Sequence, residues 1–137
     1  MVTSPTKVDA NAVLEEFLSS TASDIYVEVG DRVYESRPPS RFTNTSAALV
    51  YSFDSEIQIG ITAQSSAVVT FKCYGGTTAT IDCRRVARAL HDRMTGGGSA
   101  QSSGSFVFGS HLLTQGPLFD PSENWPFMLA RFQITIG

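Results

Sequence analysis

The chain holds only two cysteines and two histidines in 137 residues, its charged side chains amount to 17%, and none of its apolar runs approaches the length of a membrane span. Each shortage excludes something. Cys73 and Cys83 have no CxxC spacing, and His91 and His111 have no HExxH spacing, so the usual zinc and cysteine-nucleophile arrangements have no basis here. Gly75-Gly76-Thr77-Thr78 lacks the lysine and the glycine spacing of a phosphate-binding loop, and a plain strand-to-helix turn is the simpler reading. Asp82 and Asp92 are too far apart along one helix to share acid and base work, and salt bridges suit them better. No catalytic residue, metal or cofactor is therefore expected, and the chain reads as a protein that is not an enzyme. The net charge of -3 argues against a nucleic-acid binder. The early segment Val8 to Leu18 carries Asp9, Glu15 and Glu16, which interrupt any signal-peptide core, so the protein is expected to be made and folded in the cytoplasm. In that compartment Cys73 and Cys83 are expected to be buried thiols rather than a disulfide. There is no internal repeat and no heptad.

What is present fits one small folded domain over residues 1–137. Val13, Leu14, Phe17 and Leu18 share one face of a first helix, with Ser4 or Asp9 as cap. Ile25 to Val29 predicts a strand that Gly30-Asp31 turns into Arg32 to Glu35 as a hairpin. From Ser36 to Ser46 the chain loses apolar periodicity and gains Arg37, Pro38, Pro39, Arg41 and Phe42, which describes an exposed contact arm. Ala48 to Phe53 and Glu56 to Thr62 read as two strands parted by Asp54-Ser55. Ala67 to Tyr74 is the clearest strand, with Val69, Phe71 and Cys73 on its apolar face. Cys83, Val86, Ala87, Leu90 and Met94 then recur at helical spacing, capped by Thr77 or Thr78 and closed at Gly96. Gly96 to Ser105, including Gly97 and Gly98, predicts a second flexible loop. A strand from Phe106 toward Leu113 and a proline-punctuated, non-helical segment to Pro126 precede a final strand, Phe127 to Ile136, placed inside the sheet by its period of two. The fold class is α+β: a mixed, mostly antiparallel sheet, two helices packed on one face, and long flexible loops. Phe71, Leu90, Phe132 and Ile134 are its expected core.

One charged pattern stands out, Arg84, Arg85, Arg88 and Arg93 on the second predicted helix. It is either a solvated face or a ridge that meets an acidic neighbour, since Arg84 and Arg88 sit one turn apart with no acid between them on that side.

The order of these parts resembles the tail terminator and minor capsid proteins of long-tailed bacteriophages. The resemblance rests on the N-terminal helix, Ile25-Tyr26-Val27, the proline loop, the strand Val69 to Tyr74 with Gly75-Gly76, the helix Asp82 to Asp92, and the ending from Gly116-Pro117 through Trp125-Pro126 to Ile136. It implies a structural virion protein at the head-proximal end of the tail, forming a homo-oligomeric and hexameric ring. Its implied partners are further copies of itself, the tail tube protein and the head-tail connector or neck protein. Genomic DNA would pass through the ring without specific binding, and no membrane is involved. The contact residues it leaves to be tested are Arg84, Arg85, Arg88, Arg37, Pro38, Pro39, Arg41, Phe42, Gly97 and Gly98. A head-side neck component is the alternative within virions, and a small ligand-binding or hydrolase domain gathering His91, His111 or a cysteine is the alternative outside them.

Overall fold

The computed structural model describes residues 10–20, 23–36, 46–58, 65–76, 80–96, 98–99, 105–120 and 125–137. The chain begins with helix α1, Ala10–Leu18, which buries Ala10, Val13, Leu14, Phe17 and Leu18. The spacing of these residues places them on one stripe, and burying that stripe is what holds so short a helix in shape.

Ile25 to Val29 is helical, not the strand that its β-branched composition suggests. Helix α2, Asp24–Val29, starts at Ser23, whose side chain accepts from the Tyr26 N–H, and stops at Gly30, with φ 62° and ψ -128°. Ile25 and Val29, one turn apart, are fully buried, while Val27 between them is 78% exposed. That is the burial pattern of a helix and not of a strand. The expected hairpin is accordingly absent among the described residues. Strand β1, Val33–Glu35, instead lies parallel to β2, Ala48–Gln58. The fold thus has three helices among the described residues where two were expected.

The two strands expected around Asp54-Ser55 are a single strand, β2, with a bulge between Phe53 and Ser55; residues 59–62 lie outside the described residues. A bulge takes up one extra residue without ending the pairing. Strand β3, Ser65–Tyr74, runs antiparallel to β2 and buries Val69, Phe71 and Cys73 as expected. Helix α3, Thr80–Gly96, ends where expected and buries Cys83, Val86, Ala87, Leu90 and Met94. Within the predicted second loop, Gly98–Ser99 forms the short strand β4, so Gly98 is a sheet residue.

Strand β5, Phe106–Asp120, continues through the proline-punctuated stretch, with register shifts at His111/Leu113 and Gln115/Leu118. Pro117 is tolerated because it lies in the irregularity between Gln115 and Leu118, where no described strand lies on the outer side of β5. Strand β6, Trp125–Ile136, pairs with both β3 and β5 and is central, as its alternation indicated. The sheet order is β1-β2-β3-β6-β5-β4, with only β1 and β2 parallel. This matches the mixed, mostly antiparallel α+β expectation.

The main core lies between the sheet and the helices and includes Phe71, Leu90, Phe132 and Ile134. Phe71 and Phe132 meet edge to face at 5.8 Å. On the opposite face a smaller cluster of Ala48, Val50, Tyr74, Trp125 and Phe127 covers one end of the sheet. Tyr74 is therefore buried although it faces away from the main core, and the Trp125 indole donates to the Gly75 carbonyl. Asn11 joins α1 to the sheet by donating to the Glu35 carboxylate and accepting from the Tyr51 hydroxyl at 2.5 Å.

Candidate assembly surfaces

The register of the strands defines two open edges. On the outer side of β2, β1 covers only Leu49 to Tyr51, and the Ser36 N–H adds a bond to the Tyr51 carbonyl at 2.8 Å. From Ser52 to Gln58 no described strand lies on that side. On the outer side of β5, β4 covers only Phe106 and Val107. Beyond them β5 has no outer partner among the described residues.

Residues paired directly across a ladder share a face, so the pairing also sorts the exposed side chains. Val107, Gly109 and His111 align with Ile136, Ile134 and Phe132 on the helix face. Phe108 and Leu113 align with Thr135 and Arg131 on the other face. Phe106, Phe108, Leu112, Leu113 and Phe119 are all exposed, and so is Ile57 on β2. Single exposed apolar residues are ordinary, but a row along a strand with an open outer side is the feature natural sheets usually guard against. Phe106 to Gln115 holds no Lys, Arg, Asp, Glu or Pro to guard it.

On the same free face Asp54, at the β2 bulge, accepts from the Thr70 hydroxyl at 2.6 Å and from Arg131 Nη2 at 2.8 Å. The Thr70 hydroxyl chiefly, opposed by burial and aided by the Arg131 guanidinium, holds its carboxyl below the ordinary value.

Arg84, Arg85 and Arg88 are exposed on α3. Arg85 and Arg88 line a cleft of about 260 Å³ with Asp24, Val27 and Glu28 of α2 and Ala89 and Asp92 of α3. Two of the three arginines thus share a cleft with acids of the same chain, a juxtaposition that follows from α2 being a helix. Arg93 belongs to the fold. Its guanidinium stacks 3.9 Å from the centre of the Phe17 ring and donates to the Phe17 carbonyl, tying α3 to α1. Arg37, Pro38, Pro39, Arg41, Phe42 and Gly97 lie outside the described residues.

His91 and His111, which nothing in their spacing connects, meet at 5.2 Å between ring centres, with Phe132 against both. The packing of α3 across β5 brings them together. Gly109 permits that approach, since a Cβ there would come within 3.2 Å of Met94 Cβ. His91 Nδ1 lies 3.8 Å from Asp92, and His111 Nε2 shares a hydrogen bond of 2.5 Å with Thr114. Neither imidazole lines the α2–α3 cleft. Cys73 and Cys83 are buried without a disulfide, as expected. Burial, and then the neighbouring Cys83, push the Cys73 thiol up, so it stays protonated and unreactive. Among the described residues no group of three or more His, Cys, Asp or Glu is placed to hold a metal ion. None of the described helices is long and apolar enough to cross a membrane.

Compared with known protein families and with curated proteins, the chain matches none.

Proposed function

We propose that this chain is a structural virion protein of the tail-terminator type, acting as a homo-oligomeric, hexameric ring at the head-proximal end of a phage tail tube. In this role it ends tube growth and offers a surface to the head-tail connector. The observation that carries the reading is the pair of open sheet edges, one of them with an exposed apolar row and no charged guard over Phe106 to Gln115. Edges of this kind on both sides of one sheet suit a subunit that repeats head to tail, and a head-to-tail contact closes into a ring when its rotation allows. The net charge of -3 suits a ring that lets DNA pass without retaining it. The alternative of a small hydrolase is weaker, because the histidine pair lies on an exposed seam while the α2–α3 cleft is lined by other residues.

Mass photometry and negative-stain imaging of the purified protein, alone and mixed with tail tubes or with filled heads, test the proposal. Rings that cap tubes are expected. A chain that stays monomeric at all concentrations and leaves tube length unchanged would sink it, and binding to heads but not to tubes would move it to the neck.

A further inference from the structure

We propose that copies of this chain join by staggered strand pairing, the end of β5 in one copy lying antiparallel to Ser52–Gln58 of β2 in the next. This rests on the assembly reading and adds its geometry.

The two short outer strands dictate the stagger. β2 and β5 run antiparallel across the sheet, because β3 opposes β2, β6 opposes β3 and β5 opposes β6. A second copy set beside the first with its helices on the same side therefore presents β2 antiparallel to β5. At equal height this fails. The pairing chain places Tyr51, through Phe71 and Ala130, level with Thr114, so the second copy's β1 would occupy the same space as the last part of β5. Sliding the second copy along the strands until Ser52 faces Asp120 clears β1 past the end of β5, and it also keeps β2 away from β4.

That slide is about six residues, or roughly 20 Å at about 3.3 Å per residue. Four full strands separate equivalent positions in adjacent copies, about 19 Å at about 4.8 Å each. The resulting strand tilt is about 45°, at the upper end of the range in which sheets close on themselves. The short edge strands therefore block a flat ribbon and favour a closed ring.

The side chains agree with this register. Phe53 and Phe119 both belong to the helix face, since they align with Val69 and Pro126, and Phe119 is 59% exposed in the single chain. The stagger sets them side by side across the junction. Ile57, 66% exposed, falls beside Gly116 and diagonal to the half-buried Leu118 on the free face. The competing arrangements fit less well. Pairing β2 with a second β2 puts Asp54 and Glu56 near their own copies, and pairing β5 with a second β5 leaves the β2 edge open.

The test uses the free-face positions Ile57→Cys and Leu118→Cys, which the stagger sets diagonally across the junction and whose variants are first checked for unchanged melting. The native thiols are buried and do not compete. With a short bismaleimide, a mixture of the two variants is expected to give a cross-linked dimer that neither gives alone, and the double variant a ladder ending at the ring. A cross-link in Leu118→Cys alone would show β5 meeting β5 and overturn the proposal. Full-size rings without the mixed cross-link would overturn it while leaving the assembly reading intact. A monomer throughout would overturn both.

Discussion

Gly30 holds φ 62° and ψ -128° at the end of α2, a backbone region costly to any residue with a Cβ. Gly30→Ala is expected to lose about 1–3 kcal/mol in chemical denaturation, while the exposed neighbour Asp31→Ala stays near the parent. At the core, Phe71→Ala and Phe132→Ala remove rings that pack on each other and are expected to cost about 3–5 kcal/mol each. Melting curves check this, and unchanged midpoints would show that the rings do not support each other. Asp54 supplies a pH signature. Its carboxyl is held below the ordinary value, so its ionised form is favoured by folding. The resulting stability is fully present above the unfolded value of about 3.9 and disappears as pH falls through the lower folded value. The parent and Asp54→Asn are therefore expected to differ at neutral pH and to converge in acid, as read by denaturation at a series of pH values.

At the scale of elements, α1, β3, α3 and β6 were legible because each has one apolar face whose period matches its structure. Val13-Leu14-Phe17-Leu18 repeats as a helix, and Phe132, Ile134 and Ile136 alternate as a strand, so local pattern and tertiary burial agree. α2 was misread because Ile25-Tyr26-Val27-Glu28-Val29 has strand composition, and composition outweighed the weaker signals of Ser23 as a cap and Ile25/Val29 one turn apart. β5 was cut short at its prolines, because the rule against proline applies to regular ladders, whereas Pro117 falls in the register shift between Gln115 and Leu118. Of the candidate surfaces, the arginine ridge was visible in the sequence. The edges and the histidine pair were not, since both depend on which strands become neighbours. The α3–β5 seam that joins His91 to His111 depends on Gly109. Gly109→Val is expected to push α3 away from β5 and cost about 1–3 kcal/mol, with loss of the near-UV signal of the aromatic core before helix content.

For the molecule as a whole, the arginine ridge decides whether α3 takes part in assembly. Arg88 lines the same cleft as Asp24 and Glu28, whereas Arg84 does not line it. Arg84→Glu with Arg88→Glu is expected to leave circular dichroism and melting close to the parent, because exposed charges contribute about 0–1 kcal/mol each. The same variant is expected to sediment as smaller species, since repulsion across an interface costs more than a surface charge gains. Normal rings from it would assign the ridge to solvent.

The position of β6 bears on how the protein comes to exist at all. β6 follows both β3 and β5 in chain order and is the strand that lies between them, so no ladder joins the two halves of the described sheet until Trp125 to Ile136 has left the ribosome. Nascent chains can pair β2 with β3 early, but β5 emerges before the strand that holds it. Until β6 forms, the exposed apolar row of β5 therefore has no β6 ladder behind it. Addition of β6 is thus the step that unites the two halves of the sheet.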